Sequence, residues 1–508
     1  MTLAPDLVEE SSTQERARYA KWLELCRRRL LPFIKHCFTG EYEIFPETRI
    51  VCEALERFFF LVQERKSPRL LIIEPPRVGK SETVSRMFLP WVLGHEPDWH
   101  VGIVSYGDDF AWELSAEARA ILADVAFAEV FGDTYQGEGT QVVELDPNTK
   151  AVKHWKIKGR RGGMRAAGIN GSLTGKGYQI VVFDDPTKGR KEADSRDYRD
   201  DQARAFKGTF LPRVEPGGGV ILMGTAWNID DLLGRIQKEN EENRDDPQKD
   251  HWEIIHIPAR ALPGRIDPLG RQVGEWMGGR RTPLEWEHQE ANTEPREWAA
   301  QYLGIPMPEE GGIFHPYEDF RFADPPEEYE GPRYGFSDNS HAKSRSSDFS
   351  GILIAQVEPE RTIGILDVFQ GRVQYPELKV LGKHLYDGWK LWAMVIEDYS
   401  AGRALIQEYK RDAKMVIKTY RPDRDKTARA NAAHSAMADW KVRLPLGDRF
   451  PSGLAVKVFL DELANFQADT NNAHDDLVDV FTMCMILLGV RNQARPREVM
   501  LRDFAFVP

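Results

Sequence analysis

An apolar run, Leu70-Leu71-Ile72-Ile73, leads into Glu74-Pro75-Pro76-Arg77-Val78-Gly79-Lys80-Ser81 and then into residues with helical periodicity. That order dictates a strand, a phosphate-gripping loop and a helix, and so commits the chain to an α/β sheet whose strand ends face a ligand. In such a loop the backbone N–H groups wrap anionic oxygens, the Lys80 ammonium reaches the outer phosphates and the Ser81 hydroxyl reaches a magnesium ion. ATP with Mg2+ is the expected ligand, held by Arg77, Val78, Gly79, Lys80, Ser81 and Glu82. Glu74 stands where the general pattern has its first glycine, so the loop is a modified form. A Gly-Lys-Ser turn also arises by chance, and a second motif is needed to fix its meaning.

Val181-Val182-Phe183-Asp184-Asp185-Pro186 is that second motif. Asp184 is placed to hold the magnesium ion, and Asp185 to orient or activate an attacking water. Most motor ATPases have glutamate at the second position, and Asp185 is one methylene shorter; two aspartates after a strand also serve as cap and turn. A third strand ends at Gly224-Thr225-Ala226-Trp227-Asn228-Ile229-Asp230-Asp231-Leu232, which places Thr225 and Asn228 at the same sheet edge. Thr225 is a candidate sensor of the γ-phosphate; the alternative is a simple strand-to-helix turn capped by Asp230. A cation that neutralises transition-state charge is worth about 10³–10⁵ in rate. Arg77 in the loop, and Arg160, Arg161, Arg165 and Lys176 ahead of the second motif, are the candidates.

The 508 residues exceed one ordinary core and suit two domains. Residues 1–62 read as a helical lead-in, 63–258 as the phosphate-loop domain, 259–332 as a Pro-, Gly-, Arg- and Trp-rich junction containing a helix over Pro283–Leu303, 333–490 as a second α/β domain, and 491–508 as a basic tail. Strands alternating with helices in the first domain imply a mostly parallel sheet covered on both faces. No apolar run is long enough to span a membrane and no signal peptide is visible, so a cytosolic protein is expected. Cys26, Cys37, Cys52 and Cys484 lack metal-ligand spacing and read as reduced, mostly buried thiols. The net charge of −12 argues against nucleic acid taken as a sum, but acid crowds Glu239–Asp250 and Glu327–Glu330. Lys410, Arg411, Lys414, Lys418, Arg421, Arg424, Lys426, Arg429, Lys441 and Arg443 form a basic stretch, either a binding stripe or a solvated helical face.

In the second half Phe336-Ser337-Asp338 ends one strand, Val395-Ile396-Glu397-Asp398 ends another, and His474-Asp475-Asp476-Leu477-Val478-Asp479 opens an apolar helix. Carboxylates so placed suit two-metal phosphodiester cleavage, in which two Mg2+ or Mn2+ ions about 4 Å apart activate water and stabilise the leaving oxygen. Asp338, Glu397, Asp476 and Asp479 are the candidate ligands. Asp476 and Asp479 share one helical face, and Asp475 is alternatively the helix cap.

Five stretches together resemble the large terminase subunit of tailed double-stranded DNA bacteriophages: Pro75–Ser81, Leu173-Thr174-Gly175-Lys176-Gly177 leading into Phe183–Pro186, Gly224–Leu232, Asp425-Lys426-Thr427-Ala428-Arg429-Ala430, and His474–Asp479. Ala226 stands where that family commonly has arginine. The resemblance implies an N-terminal P-loop ATPase, run by Lys80, Ser81, Asp184 and Asp185, and a C-terminal RNase-H-like nuclease that cuts concatemeric DNA with Asp338, Glu397, Asp476 and Asp479. It also implies a ring of five subunits on the portal of the procapsid, a small terminase subunit as partner, and double-stranded DNA along Lys426 and Arg429. The implied place of action is the host cell cytoplasm, outside the mature virion. The rival expectations are a helicase-like DNA repair ATPase-nuclease and a non-enzymatic DNA-binding adaptor with degenerate motifs.

Overall fold

The computed structural model describes residues 5–38, 40, 42–132, 143–171, 173, 176–307, 312–326, 331–339, 349–398, 400–411, 415–422, 424–467 and 475–490. Thr174, Gly175, Glu327–Glu330, Lys414, His474 and the tail 491–508 lie outside them. The chain forms two compact units, Met1–Ala261 with Asp267–Pro306, and Leu262–Ile266 with the chain from Met307 on.

The first unit is built on strands β1 (Arg69–Ile73), β2 (His100–Ser105), β3 (Leu145–Ala151), β4 (His154–Ile157), β5 (Gly163–Gly168), β6 (Tyr178–Asp184), β7 (Val214–Gly224) and β8 (Trp252–His256). Their order is β3-β4-β5-β2-β6-β7-β1-β8. From β5 to β8 every pairing is parallel; β3, β4 and β5 pair antiparallel. The central strands are apolar without alternation because both faces are covered. Phe206, Phe210, Leu232 and Leu233 cover one face with Trp252. On helix Pro46–Gln63, Phe58 and Val62 press so closely on β7 that a Cβ at Gly219 would meet Phe58 at 2.3 Å.

The sequence predicts one helix over Ser81–Leu93. The structure has a π-helical run, Glu82–Phe88, followed by an α-helix, Leu89–His95. Pro90 explains the change: it has no N–H to give and its ring would strike the carbonyl four residues back, so the ladder changes register before it. The stretch expected as a junction also differs. Asp267–Pro306 folds with the first unit, and its helix Pro283–Ala291 is closed by a Thr282–Glu285 capping box and by Trp286, whose Nε1 donates to the Met277 carbonyl at 2.7 Å. A second short helical run starts at Pro295, where the ring favours a first turn.

The second unit carries β9 (Phe320–Phe322), β10 (Arg333–Asp338), β11 (Ser350–Glu358), β12 (Thr362–Gly371), β13 (Ala393–Glu397), β14 (Ile417–Tyr420) and β15 (Lys441–Leu444), in the order β14-β13-β10-β11-β12-β15-β9. The three central strands β10, β11 and β12 are antiparallel and the flanking pairs parallel. Alternate residues of β11 feed two cores: Leu353 and Ala355 meet helix Asp476–Met485 through Phe481, while Ile352 and Ile354 meet Leu385 and Leu405 of helices Tyr375–Gly388 and Ser400–Lys410. Among the described residues no helix is long and apolar enough to cross a membrane. All four cysteines are free and buried.

Candidate functional site

Register aligns the first unit's chemistry. Ile73 pairs with Gly224, Asp184 with Met223, and Ser105 with Asp184, so the loops after β1, β6 and β7 leave one edge of the sheet together. The Ser81 hydroxyl donates to Asp184 Oδ1 at 3.0 Å. Ser85, which the sequence reading did not single out, donates to Asp184 Oδ2 at 2.6 Å. It lies four residues beyond Ser81, one turn on and on the same helical face. Burial, followed by the charge of Asp185, pushes the Asp184 carboxyl up to about 7, against the pull of Ser85, Ser81 and Lys80. A buried carboxylate that two hydroxyls already orient has the right chemistry for a hard divalent cation.

Lys80 is buried, and its ammonium donates to the carbonyls of Glu74 at 3.1 Å and Pro75 at 2.8 Å. Arg77 is exposed with φ +64°, and Gly79 has φ +99°. Val78 packs inward, and Glu82 pairs with Arg86 at 2.6 Å. Asp185, at φ +43°, accepts from the Thr225 amide at 2.9 Å, so the ends of β6 and β7 are tied through the carboxylate.

Two expectations about this edge need correction. Helix Leu232–Glu242 is capped by Asp231, not Asp230: Asp231 accepts from Gly234 at 2.9 Å and from Trp227 at 2.8 Å, whereas Asp230 pairs with Arg235 and Arg199. Asn228 is spent on the same turn through Asp231 and Asp194. Of the candidate cations, Arg160 and Arg161 precede β5 beside Asp98, and Lys176 precedes β6 against His100 Nε2 at 2.7 Å. Gly163 pairs with His100 at the start of β2, so these three lie at the sheet edge opposite the phosphate loop; Arg165 pairs with Gly102, two residues further along. Only Arg77 of that set lies in the loop.

In the second unit Ser337 pairs with Ile396, which sets Asp338 beside Glu397. Helix Asp476–Met485 starts against β11, where a Cβ on Gly351 would lie 3.1 Å from the Asp476 carbonyl. Asp338, Glu397, Asp476 and Asp479 are thereby gathered. Burial, then the charges of Asp479, Glu397 and Asp476, push Asp338 up to about 8. Glu397 and Asp479 are raised too, first by burial. Buried carboxylates crowded in this way suit hard cations. Among the described residues, however, no three acidic, thiol or imidazole groups are arranged around one metal position. Asp479 instead accepts from Lys426 at 2.6 Å and Arg429 at 3.0 Å, and Lys426 also pairs with Asp475.

Asp475 holds the cap position but caps with no side-chain bond. The cap comes from Glu462, another residue the sequence reading did not single out: its Oε1 accepts from Leu477 at 2.6 Å and Val478 at 3.3 Å. The basic stretch does not form one surface. Arg443 is buried in a fork with Glu358, Arg429 is buried beside Asp479, and Arg403 and Arg421 both hold Asp398. Lys410, Arg411 and Arg424 remain exposed.

Residues 71–321 match the family model for the terminase large subunit, T4likevirus-type, N-terminal, and residues 339–488 match that for the terminase RNaseH-like domain. The chain belongs to the terminase large-subunit family. It is a bacteriophage packaging protein whose second unit carries the RNase-H-like domain. Among solved structures it is similar to the HK97 bacteriophage large terminase, with 13% identity over 90% of this chain and 99% of that one and a TM-score of 0.37. The large terminase from the thermophilic bacteriophage D6E shows 9% identity over 84% and 94%, with a TM-score of 0.30. The large terminase nuclease from thermophilic phage G20c shows 15% identity over 36% and 98%, with a TM-score of 0.24. No curated protein matches the chain in sequence.

Proposed function

We propose that this terminase hydrolyses ATP to drive double-stranded DNA into a procapsid and cuts concatemeric DNA in its second unit. The observation that carries the reading is the contact of Ser81 with Asp184, which joins the phosphate loop to the acidic strand end across one sheet edge. Ser81 and Asp184 would hold Mg2+, while Asp338, Glu397, Asp476 and Asp479 would hold two Mg2+ or Mn2+ ions. Bound there, the metals would screen phosphate charge and acidify the attacking water. Lys80 leaves the loop carbonyls for the outer phosphates. Asp185, its carboxylate oriented by the Thr225 amide, positions and deprotonates the water, and loss of the terminal phosphate is felt at β7 through that same bond. Arg77 neutralises charge at the loop. Release of Asp479 by Lys426 and Arg429 frees both cations to face the DNA backbone, which they contact without sequence preference.

The partners proposed with this role are the portal, a small terminase subunit and four further copies of the chain in a ring, in the host cell cytoplasm and outside the mature virion. Purified Lys80→Ala should lose ATP hydrolysis and keep metal-dependent cutting of plasmid DNA; Asp338→Ala should do the reverse. Loss of both activities in either folded variant would sink the division of labour. A packaging assay with proheads and ATP tests the motor itself, and nucleotide-stimulated strand displacement in its place would favour the repair enzyme. A chain that neither hydrolyses ATP nor cuts DNA would be the adaptor.

A further inference from the structure

The strongest unexplained group near the phosphate loop comes from far along the chain. Gly278-Gly279-Arg280 lies in the part of Asp267–Pro306 that folds with the first unit. A Cβ built on Gly79 would lie 2.9 Å from one terminal nitrogen of the Arg280 guanidinium, 3.4 Å from its carbon and 3.8 Å from Nε. The guanidinium therefore lies against the loop at the residue before Lys80, and the φ of +99° at Gly79 is what favours glycine there.

Arg280 is held there rather than drifting. Its guanidinium stacks over the Phe45 ring at 5.7 Å, just ahead of helix Pro46–Gln63. Gly279, at φ +99°, brings its backbone so close to Phe45 and Glu47 that a Cβ would meet Glu47 Oε1 at 2.9 Å and the Phe45 ring at 3.1 Å. Yet the guanidinium is exposed, and among the described residues it makes no hydrogen bond or ion pair. Glu47, buried with neither carboxylate oxygen hydrogen-bonded to another residue, feels the Arg280 charge without accepting a hydrogen bond from it. A planar cation fixed by stacking and with its donors unspent, next to a loop whose amides wrap phosphates, matches a phosphate oxygen pair.

We infer that Arg280 binds the terminal phosphate of the nucleoside triphosphate and so makes the segment around it a reader of nucleotide state. The inference rests on the ATPase reading above. Loop amides and Lys80 grip any polyphosphate tail, whereas Arg280 adds a contact that exists only while the terminal phosphate does. Ordering of residues 276–286 would follow that phosphate, within the stretch that ends where the chain leaves the unit at Pro306.

The test uses the full chain with fluorescent MgADP and a slowly hydrolysed MgATP analogue. Arg280→Ala should weaken the triphosphate about 10- to 100-fold, the range for a hydrogen-bonded charge pair, and change the diphosphate less than about threefold. Arg280→Lys should restore part of the difference. In hydrogen exchange the wild type should protect 276–286 with the triphosphate but not the diphosphate, and Arg280→Ala should abolish that contrast. Equal weakening of both nucleotides overturns the inference, as does a lower melting temperature with an unchanged affinity ratio, which would mark Arg280 as a prop for Phe45 and Glu47. If the wild type binds neither nucleotide, or Lys80→Ala binds both as well as the wild type does, the ATPase reading falls and takes this one with it.

Discussion

Glu462 is the residue whose removal tests the second unit most directly, because it does at a distance what a cap residue ordinarily does next door. Helix Asp476–Met485 needs acceptors for its first amides, and its own cap residue, Asp475, is engaged with Lys426. Glu462 accepts from the amides of Leu477 and Val478 with one oxygen and from Gln370 Nε2 at 3.0 Å with the other. Leu477 and Val478 are fully buried, so water cannot readily replace the lost acceptor. A lost cap costs about 0.5–2 kcal/mol, and a buried unpaired amide about 1–3 kcal/mol. Glu462→Ala should therefore destabilise the first turn by about 2–3 kcal/mol. Burial pushes the Glu462 carboxyl up to about 7, so near neutral pH Glu462→Gln keeps an acceptor and loses only part of a charge, for at most about 1 kcal/mol. Since about 1.4 kcal/mol is a factor of ten, the Leu477 and Val478 amides of the alanine variant should exchange about 30- to 150-fold faster. Mass-spectrometric hydrogen exchange on peptides covering 475–485 reads this without requiring two-state unfolding of a two-unit chain. DNA cutting should fall with the exchange and recover largely in the glutamine variant, while ATP hydrolysis stays at the wild-type rate. Unchanged exchange at 477 and 478 in Glu462→Ala would refute the reasoning, whatever happened to cleavage.

Two further outcomes follow from buried charge. Arg443 and Glu358 are joined by a forked pair with 6% and 3% of their side chains exposed, so Arg443→Met alone should cost about 3–5 kcal/mol, and the double variant with Glu358→Leu should return close to wild-type stability in thermal unfolding. Burial pulls the His95 imidazole from 6.5 down to about 4 beside Arg27, whose carbonyl takes the ring N–H at 2.7 Å. The unfolded chain then binds a proton that the folded one refuses between those two values, so stability is full above about pH 6.5 and falls by up to about 3 kcal/mol on acidification toward pH 4. His95→Gln should show a shallower fall in melting temperature across that window, and an identical slope would exclude His95 as its source.

Apolar runs ending in chemistry were the legible part of this chain. Ile73, Phe183, Phe336 and Ile396 each close a buried strand, so the polar residues after them had to emerge at a sheet edge, and register then brought them together. What pattern could not supply was anything fixed by a distant partner. β15 and β8 are short segments at flanking positions of their sheets, and β5 is buried at every position but Arg165, without alternation. Arg443 reads as one more base in a basic stretch, and only the fold puts it against Glu358, 85 residues earlier. Ser85 and Glu462 escape for the same reason: nothing in their neighbours says that a carboxylate or two amides will be waiting. The Asp230 and Asp231 exchange is a smaller failure, since two adjacent acids before a helix are equivalent in sequence and distinct only once the turn's dihedrals are set.

The loop itself shows how a departure from pattern can be structural necessity met elsewhere. Glycine is required at a loop position only where φ is positive or a backbone must pass close. Here the left-handed conformations fall on Arg77 and Gly79, not on residue 74. With φ negative at the first position, a side chain is tolerated there, and Pro75 and Pro76 stiffen the following two residues near φ −65°. The replaced glycine then becomes a buried acid: Glu74 is 4% exposed, and burial pushes it up to about 7, with Lys80 opposing the shift and Glu47 adding to it. Its main-chain oxygen, rather than its carboxylate, receives the Lys80 ammonium. Lys80 is thus hydrogen-bonded to two carbonyls, with the carboxyls of Glu74 and Asp184 acting on it through charge alone. The strain is concentrated at Arg77, an exposed cation at φ +64° whose conformation a glycine would adopt more easily.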